Sequence, residues 1–205
     1  EQLAGEQLAS IYHMEIYADS FAEARSYFPQ ASDFRLGPDQ YLEQIRRIKA
    51  MVGVPVIASL NGTTAEGWLR YAALMQEAGA DALELNFYHV ATDPRESGAD
   101  VERRLLDAAR IVKAHVRIPV AVKLSPFFSA LPHLAHQLDG LGADGLVLFN
   151  RFYQPDIDLE TLGVVPNLTV SSSVVLRLGL GGMASLPGRI APALAATTGV
   201  PSRAD

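Results

Sequence analysis

The chain has 205 residues, a net charge of −6 from 17 Lys and Arg against 23 Asp and Glu, and no cysteine. The acidic balance argues against a nucleic-acid backbone or an anionic membrane as the main partner. The lack of cysteine excludes disulfides, thiolate zinc sites and a cysteine nucleophile, and fits a reducing cytoplasm.

No apolar run reaches the roughly 18 residues of a membrane-crossing helix. The chain opens on Glu1 without an initiator methionine or signal-peptide pattern and stops abruptly at residues 201–205, so it reads as a piece of something longer. Residues 1–28, rich in Ala, Glu, Gln and Leu, predict one or two helices, with a break near Ser20. A polar loop at 29–38 follows. Pro38 and Asp39 then open an amphipathic helix with Tyr41, Leu42, Ile45, Ile48 and Met51 on one face.

After Gly53 the period changes. Residues 54–60 are nearly all apolar, as for a parallel strand covered on both faces. Thr64 caps a helix to about Glu77, and Gly79-Ala80-Asp81 turns into a strand through 83–86. A loop at 91–100 leads to a helix at 100–115 with Val101, Leu105, Ala108, Ile111 and Val112 inward. A strand at 118–124, a helix near 129–140 and a strand at 146–149 follow.

The last quarter is less regular. Residues 168–175 read as an extended β-branched arm, and residues 178–187 show no helical period. The Gly179-Leu180-Gly181-Gly182 cluster lacks the Lys-Ser/Thr ending of a phosphate loop. A further strand is expected at 193–198.

Two segments echo each other. Val54-Pro55-Val56 through Ser59 matches Ile118-Pro119-Val120 through Ser125, and Gly79-Ala80-Asp81 matches Gly142-Ala143-Asp144, each after about 64 residues. That spacing is two strand–helix units, the mark of a parallel α/β sheet. A (β/α)8 barrel is favoured over a doubly wound sheet, because no Gly-x-Gly-x-x-Gly follows a first strand and polar residues sit at many strand tips. A full barrel takes about 250 residues, so this chain is expected to form an incomplete one, as a single domain. Its unpaired edge strands predict self-association, as a homodimer or aggregate.

In a parallel barrel, ligands meet the carboxyl ends of the strands. Asn61, Asn86, Lys123 and Asn150 stand at those ends. Lys123, inside an apolar run, needs an anionic ligand or a structural pairing with Glu84. The asparagines either satisfy loop backbone or together meet the edge of a ring-shaped ligand. His89, three residues past Asn86, is either a general acid/base or a loop histidine. No metal site is expected, since His133 and His136 are only an i, i+3 pair at helix or surface positions.

The segments 56–62, Glu84-Leu85-Asn86, 119–126 and Phe149-Asn150 resemble the dihydroorotate dehydrogenase family, FMN-dependent (β/α)8 barrels, and look closest to its dihydroorotate dehydrogenase-like branch. The resemblance covers about residues 35–175, and more loosely 1–34 and 188–200. It implies an oxidoreductase of pyrimidine biosynthesis that oxidises dihydroorotate to orotate on FMN. By the same resemblance Asn86 contacts flavin and substrate, Lys123 approaches the flavin N1–C2 carbonyl region, and Asn150 binds the carboxylated pyrimidine. Ser59 or Asn61 lines the isoalloxazine. Thr198 and Gly199 lie in the turn that resembles the FMN-phosphate grip.

Two departures qualify this. The family's base is a cysteine or serine where this chain has His89, and the family's first two strands and last strand have no counterpart here. The alternatives are therefore a truncated or non-catalytic flavin-binding barrel, or an oxidoreductase acting on another dihydropyrimidine.

Overall fold

A computed structural model describes residues 38–62, 64–87, 89, 91, 93–150, 154–157, 159–160, 164–167 and 173–197. In chain order the elements are α1 (Pro38–Met51), β1 (Ile57–Leu60), α2 (Ala65–Glu77), β2 (Ala82–Asn86), α3 (Gly98–His115) and β3 (Val120–Leu124). They continue as α4 (Leu131–Gly140), β4 (Gly145–Leu148), β5 (Gln154–Ile157), β6 (Val164–Asn167), α5 (Ser173–Ala184) and β7 (Ala193–Ala196). The helices expected within 1–28 lie outside the described residues.

Five strands form one parallel sheet in the order β1-β2-β3-β4-β7, and β5 and β6 form a separate antiparallel pair. The order follows the chain and never reverses, whereas a doubly wound sheet reverses at a switch point. Consecutive helices also pack side by side, α2 on α3 and α3 on α4, which puts them on one face. A singly wound sheet of this kind is an arc of a (β/α) barrel. Among the described residues the arc has five strands and does not close.

Strand pairing sorts the side chains into two faces, because residues opposite one another across a pair share a face. One face carries Ala58 and Leu60, Leu83 and Leu85, Val120, Val122 and Leu124, then Leu146 and Leu148. These are buried, most of them completely, under Trp68, Ala72 and Met75 of α2, Leu105, Ala108 and Val112 of α3, and Leu134 and Leu138 of α4. The other face carries Ile57 and Ser59, Ala82, Glu84 and Asn86, Ala121 and Lys123, Gly145 and Val147, then Ala193 and Ala195. It is the concave, barrel-interior face, built from small and polar residues.

The expectation that strands are covered on both faces is thus corrected. Ile57 is 61% exposed, because the helices cover one face and the other faces inward across the arc.

The sequence echo has a physical counterpart at the opposite ends of the strands. Asp81 Oδ2 accepts the Val56 backbone N–H at 2.6 Å and pairs with Lys49 Nζ at 2.7 Å. Asp144 Oδ2 accepts the Val120 N–H at 2.7 Å and pairs with Lys113 Nζ at 2.7 Å. In each case the turn aspartate ties its own strand to the start of the preceding strand and to the helix before that. The glycines two residues earlier, Gly79 and Gly142, have φ of +95° and +80°, the left-handed turn that leads from helix to strand.

Several boundaries differ from expectation. α3 starts at Gly98 because Ser97 and Asp100 form a reciprocal capping box. Met51 does not belong to the buried face of α1: Leu42 and Ile45 are buried, but Met51 at the helix end is 78% exposed. The expected arm at 168–175 is helical from Ser173, with 168–172 outside the described residues, and the antiparallel pair lies earlier, at β5 and β6. Residues 178–187, read as non-helical, belong largely to α5. A side chain on Gly182 would put its Cβ 2.6 Å from Phe149 Cζ, so the glycine lets the helix approach the end of β4.

Candidate functional site

The polar residues of the concave face gather at the carboxyl ends of β1 to β4. Asn86 ends β2 opposite Lys123 in β3. Asn150 follows β4, after a cis peptide between Leu148 and Phe149, and is anchored by its backbone N–H on Leu124 O at 2.7 Å. Its side-chain Nδ2 donates to Asn86 Oδ1, so two of the expected tips, 64 residues apart, are bonded directly.

That bond orients both amides. It assigns Asn86 Nδ2 as the remaining donor and Asn150 Oδ1 as the remaining acceptor of the pair. A donor beside an acceptor is complementary to the N–H and C=O edge of a heterocyclic ring. Asn150 is only 9% exposed, so a ring edge that met it would be largely removed from water.

Lys123 Nζ lies 3.5 Å from Glu84 Oε1, and both side chains are about four-fifths buried, with 21% and 19% exposure. The structural pairing considered from the sequence is therefore present. At 3.5 Å it is an ion pair outside ordinary hydrogen-bonding distance. Glu84 Oε1 is held instead by Ser59 Oγ at 3.0 Å, and Ser59 O accepts from Tyr41 Oη at 3.2 Å. Burial pushes the Tyr41 hydroxyl pKa up, its bond to Ser59 pulls it back in part, and the charge on Glu84 raises it further. Tyr41 therefore serves as a neutral donor that fixes β1 to α1.

Behind the tips lies an aromatic support. Phe87, next to Asn86, stacks on Trp68 with ring centroids 4.7 Å apart and planes at 14°. A Cβ on Gly62 would come within 2.7 Å of the Trp68 ring, so the turn after β1 needs glycine to admit the indole. Asn61, before that turn, is exposed and stands apart from the bonded cluster. Thr198 and Gly199, the expected phosphate contacts, lie outside the described residues.

His89 sits beyond the strand. Its Nε2 is 2.9 Å from Glu96 Oε2 and 3.1 Å from Arg104 Nη1, and Arg104 also pairs with Glu96. Sequence reasoning missed Glu96, Arg104 and Trp68, and placed Tyr41 only on the apolar face of α1. The one sequence signal near Glu96 is the Ser97-x-x-Asp100 spacing of a capping box directly after it. No group of three or more His, Cys, Asp or Glu capable of holding a metal occurs among the described residues. None of their helices is long and apolar enough to cross a membrane.

No family model matches the chain. Curated sequences do. The chain is 33% identical over 127 residues to a dihydroorotate dehydrogenase B (NAD(+)) catalytic subunit from Desulforamulus reducens, covering 60% of this chain and 41% of that protein. It is 35% identical over 126 residues to the corresponding subunit of Thermoplasma acidophilum, with the same 60% and 41% coverage. For Geobacillus kaustophilus the identity is 32% over 130 residues, covering 61% and 41%.

Among solved structures, a monomeric dihydrodipicolinate synthase variant aligns with a TM-score of 0.44 at 12% identity, covering 75% of this chain and 46% of that one. YagE, a dihydrodipicolinic acid synthase family protein from E. coli K12, aligns with a TM-score of 0.41 at 20% identity, covering 58% and 41%. Those structural likenesses are too distant to bear on chemistry. The sequence likeness is closer: over three fifths of its length the chain is similar to the dihydroorotate dehydrogenase B catalytic subunits, spanning about two fifths of theirs.

Proposed function

We propose that this chain carries the central strands of an FMN-dependent oxidoreductase that converts dihydroorotate to orotate. The observation that carries the reading is the junction of Asn86, Asn150 and Lys123 on one concave face, at the ends of three adjacent parallel strands. The residues present suit the cofactor. Ala82, Ala121, Gly145, Ala193 and Ala195 make the floor of that face from small side chains that leave room for a flat ring.

When bound, FMN supplies the hydride acceptor for C6 of dihydroorotate. Lys123 keeps a positive charge at the floor of the face, where it favours an electron-rich ring and a carboxylate-bearing substrate. Asn86 and Asn150 present their remaining donor and acceptor to the pyrimidine edge and fix its orientation. His89, in the place where the family has cysteine or serine, takes the proton from C5. Glu84 balances the Lys123 charge before ligands arrive.

Titrating FMN into the purified chain tests this reading. Saturable quenching of flavin fluorescence, weakened by Lys123→Ala, supports it. No interaction with FMN at any concentration overturns it, and binding without dihydroorotate turnover would leave a non-catalytic flavin barrel in its place.

A further inference from the structure

His89, between β2 and α3, meets Glu96 ahead of α3 and Arg104 within it. Its Nε2 faces a carboxylate at 2.9 Å and a guanidinium at 3.1 Å, and it cannot serve both. A protonated Nε2 donates to Glu96, while an unprotonated Nε2 accepts from Arg104. Each choice places the other proton-binding nitrogen, Nδ1, in the opposite state.

Three observations decide between them. The Glu96 contact is the shorter one. Glu96 is only 12% exposed, so its acceptor-only Oε2 depends on a protein donor, whereas Arg104 is 51% exposed and its remaining N–H groups reach water. Neighbouring carboxylates are committed elsewhere, Asp93 to Arg95 at 2.8 Å and Asp100 to Ser97 and Arg103, so Glu96 is the acid that faces the ring. The His89 bond, aided by Arg104 and opposed by partial desolvation, also holds the Glu96 carboxyl below the usual range, which keeps it an ionised acceptor.

We infer that Glu96 is a positioning residue that keeps His89 in its Nε2–H tautomer, leaving Nδ1 as the nitrogen that takes the substrate proton. Arg104, bonded to the other carboxylate oxygen, holds Glu96 in place. The role in turnover rests on His89 being the base; the tautomer itself does not.

The imidazole nitrogens of the ¹⁵N-labelled chain, at a pH where the ring is neutral, report the tautomer directly. His89→Asn identifies the signal by deleting it. Wild-type protein should show a protonated Nε2 and a bare Nδ1. Glu96→Ala, which leaves Nε2 to Arg104, should move the ring to the Nδ1–H form and lower kcat for dihydroorotate by about tenfold or more at unchanged KM. A wild-type ring already in the Nδ1–H form, or a ring that Glu96→Ala does not move, overturns the inference. Turnover that survives His89→Asn would instead remove the base reading, and the substrate-free spectra would still decide the tautomer.

Discussion

Replacing Asp144 with alanine removes the carboxylate that ties β4 to the start of β3 and to the end of α3. Two interactions go. The Val120 N–H, on a residue with no exposed surface, loses its acceptor at 2.7 Å, and Lys113 loses its ion pair at 2.7 Å. A charge-assisted bond to a partly buried N–H is worth about 1.5–3 kcal/mol. The ion pair, between side chains 24% and 44% exposed, adds at most about 1 kcal/mol after solvent screening. Asp144→Ala should therefore cost ~3 kcal/mol, or roughly 6–12 °C in Tm for a domain of this size.

Asparagine separates the two parts. It keeps an acceptor for Val120 but loses the ion pair and the charge assistance of that bond, so Asp144→Asn should cost about 1–2 kcal/mol. Urea unfolding of the three proteins at neutral pH gives both numbers. Equal losses for alanine and asparagine, or an alanine loss below ~1 kcal/mol, would refute the assignment of the backbone bond as the main term.

The pH dependence has a definite sign. Burial pushes the Asp144 carboxyl up, but the Lys113 and Val120 bonds outweigh it and the net pKa is lowered. Asp81 is lowered as well, first by Lys49 and then by the Val56 N–H. A carboxyl with a depressed folded pKa contributes stability above its unfolded value, about 3.9, and loses it as pH falls through the folded value. Stability should thus fall in acid below about pH 4, and less steeply in Asp144→Asn.

Other consequences follow from single contacts. Gly182→Ala drives a methyl against Phe149 and should destabilise by about 1–3 kcal/mol in thermal melts; an unchanged Tm would contradict the close packing of α5. Ser97→Ala removes the reciprocal cap of α3 and should cost ~1 kcal/mol, measured by the same melts. Asn150→Ala removes one half of the amide pair and should weaken orotate binding at least about tenfold by calorimetry, the loss of a hydrogen bond to a ring edge. Ile57→Lys puts a charge on β1, the edge strand among the described residues, and should reduce self-association in sedimentation runs; a wild-type chain that is monomeric at all concentrations would show that the edge is not a contact surface.

The parts of the fold legible in the sequence are those where one physical pattern dominates. β2, β3 and β4 were readable because their fully buried residues alternate with the concave-face positions or run unbroken, and the Gly-Ala-Asp turns repeat at the same register. α5 was hidden by Gly179, Gly181 and Gly182, which read as a breaker; at Gly182 the missing side chain admits Phe149. The convergence of Asn86, Lys123 and Asn150 was legible because strand ends in parallel sheets converge, so equivalent positions become neighbours. Glu96 and Arg104 were not, since loop contacts carry no period and depend on where α3 begins. Asn61 occupies an equivalent position but does not join the bonded cluster.

The central claim is that the polar tips of β2, β3 and β4 form one flavin and substrate site. Anaerobic mixing of dihydroorotate with the FMN-loaded chain, followed by the visible flavin band, tests it most directly. The band should bleach in wild-type protein, and bleach markedly more slowly in Lys123→Ala and Asn150→Ala. Bleaching at the same rate in all three, or none in a chain that holds FMN, would contradict it.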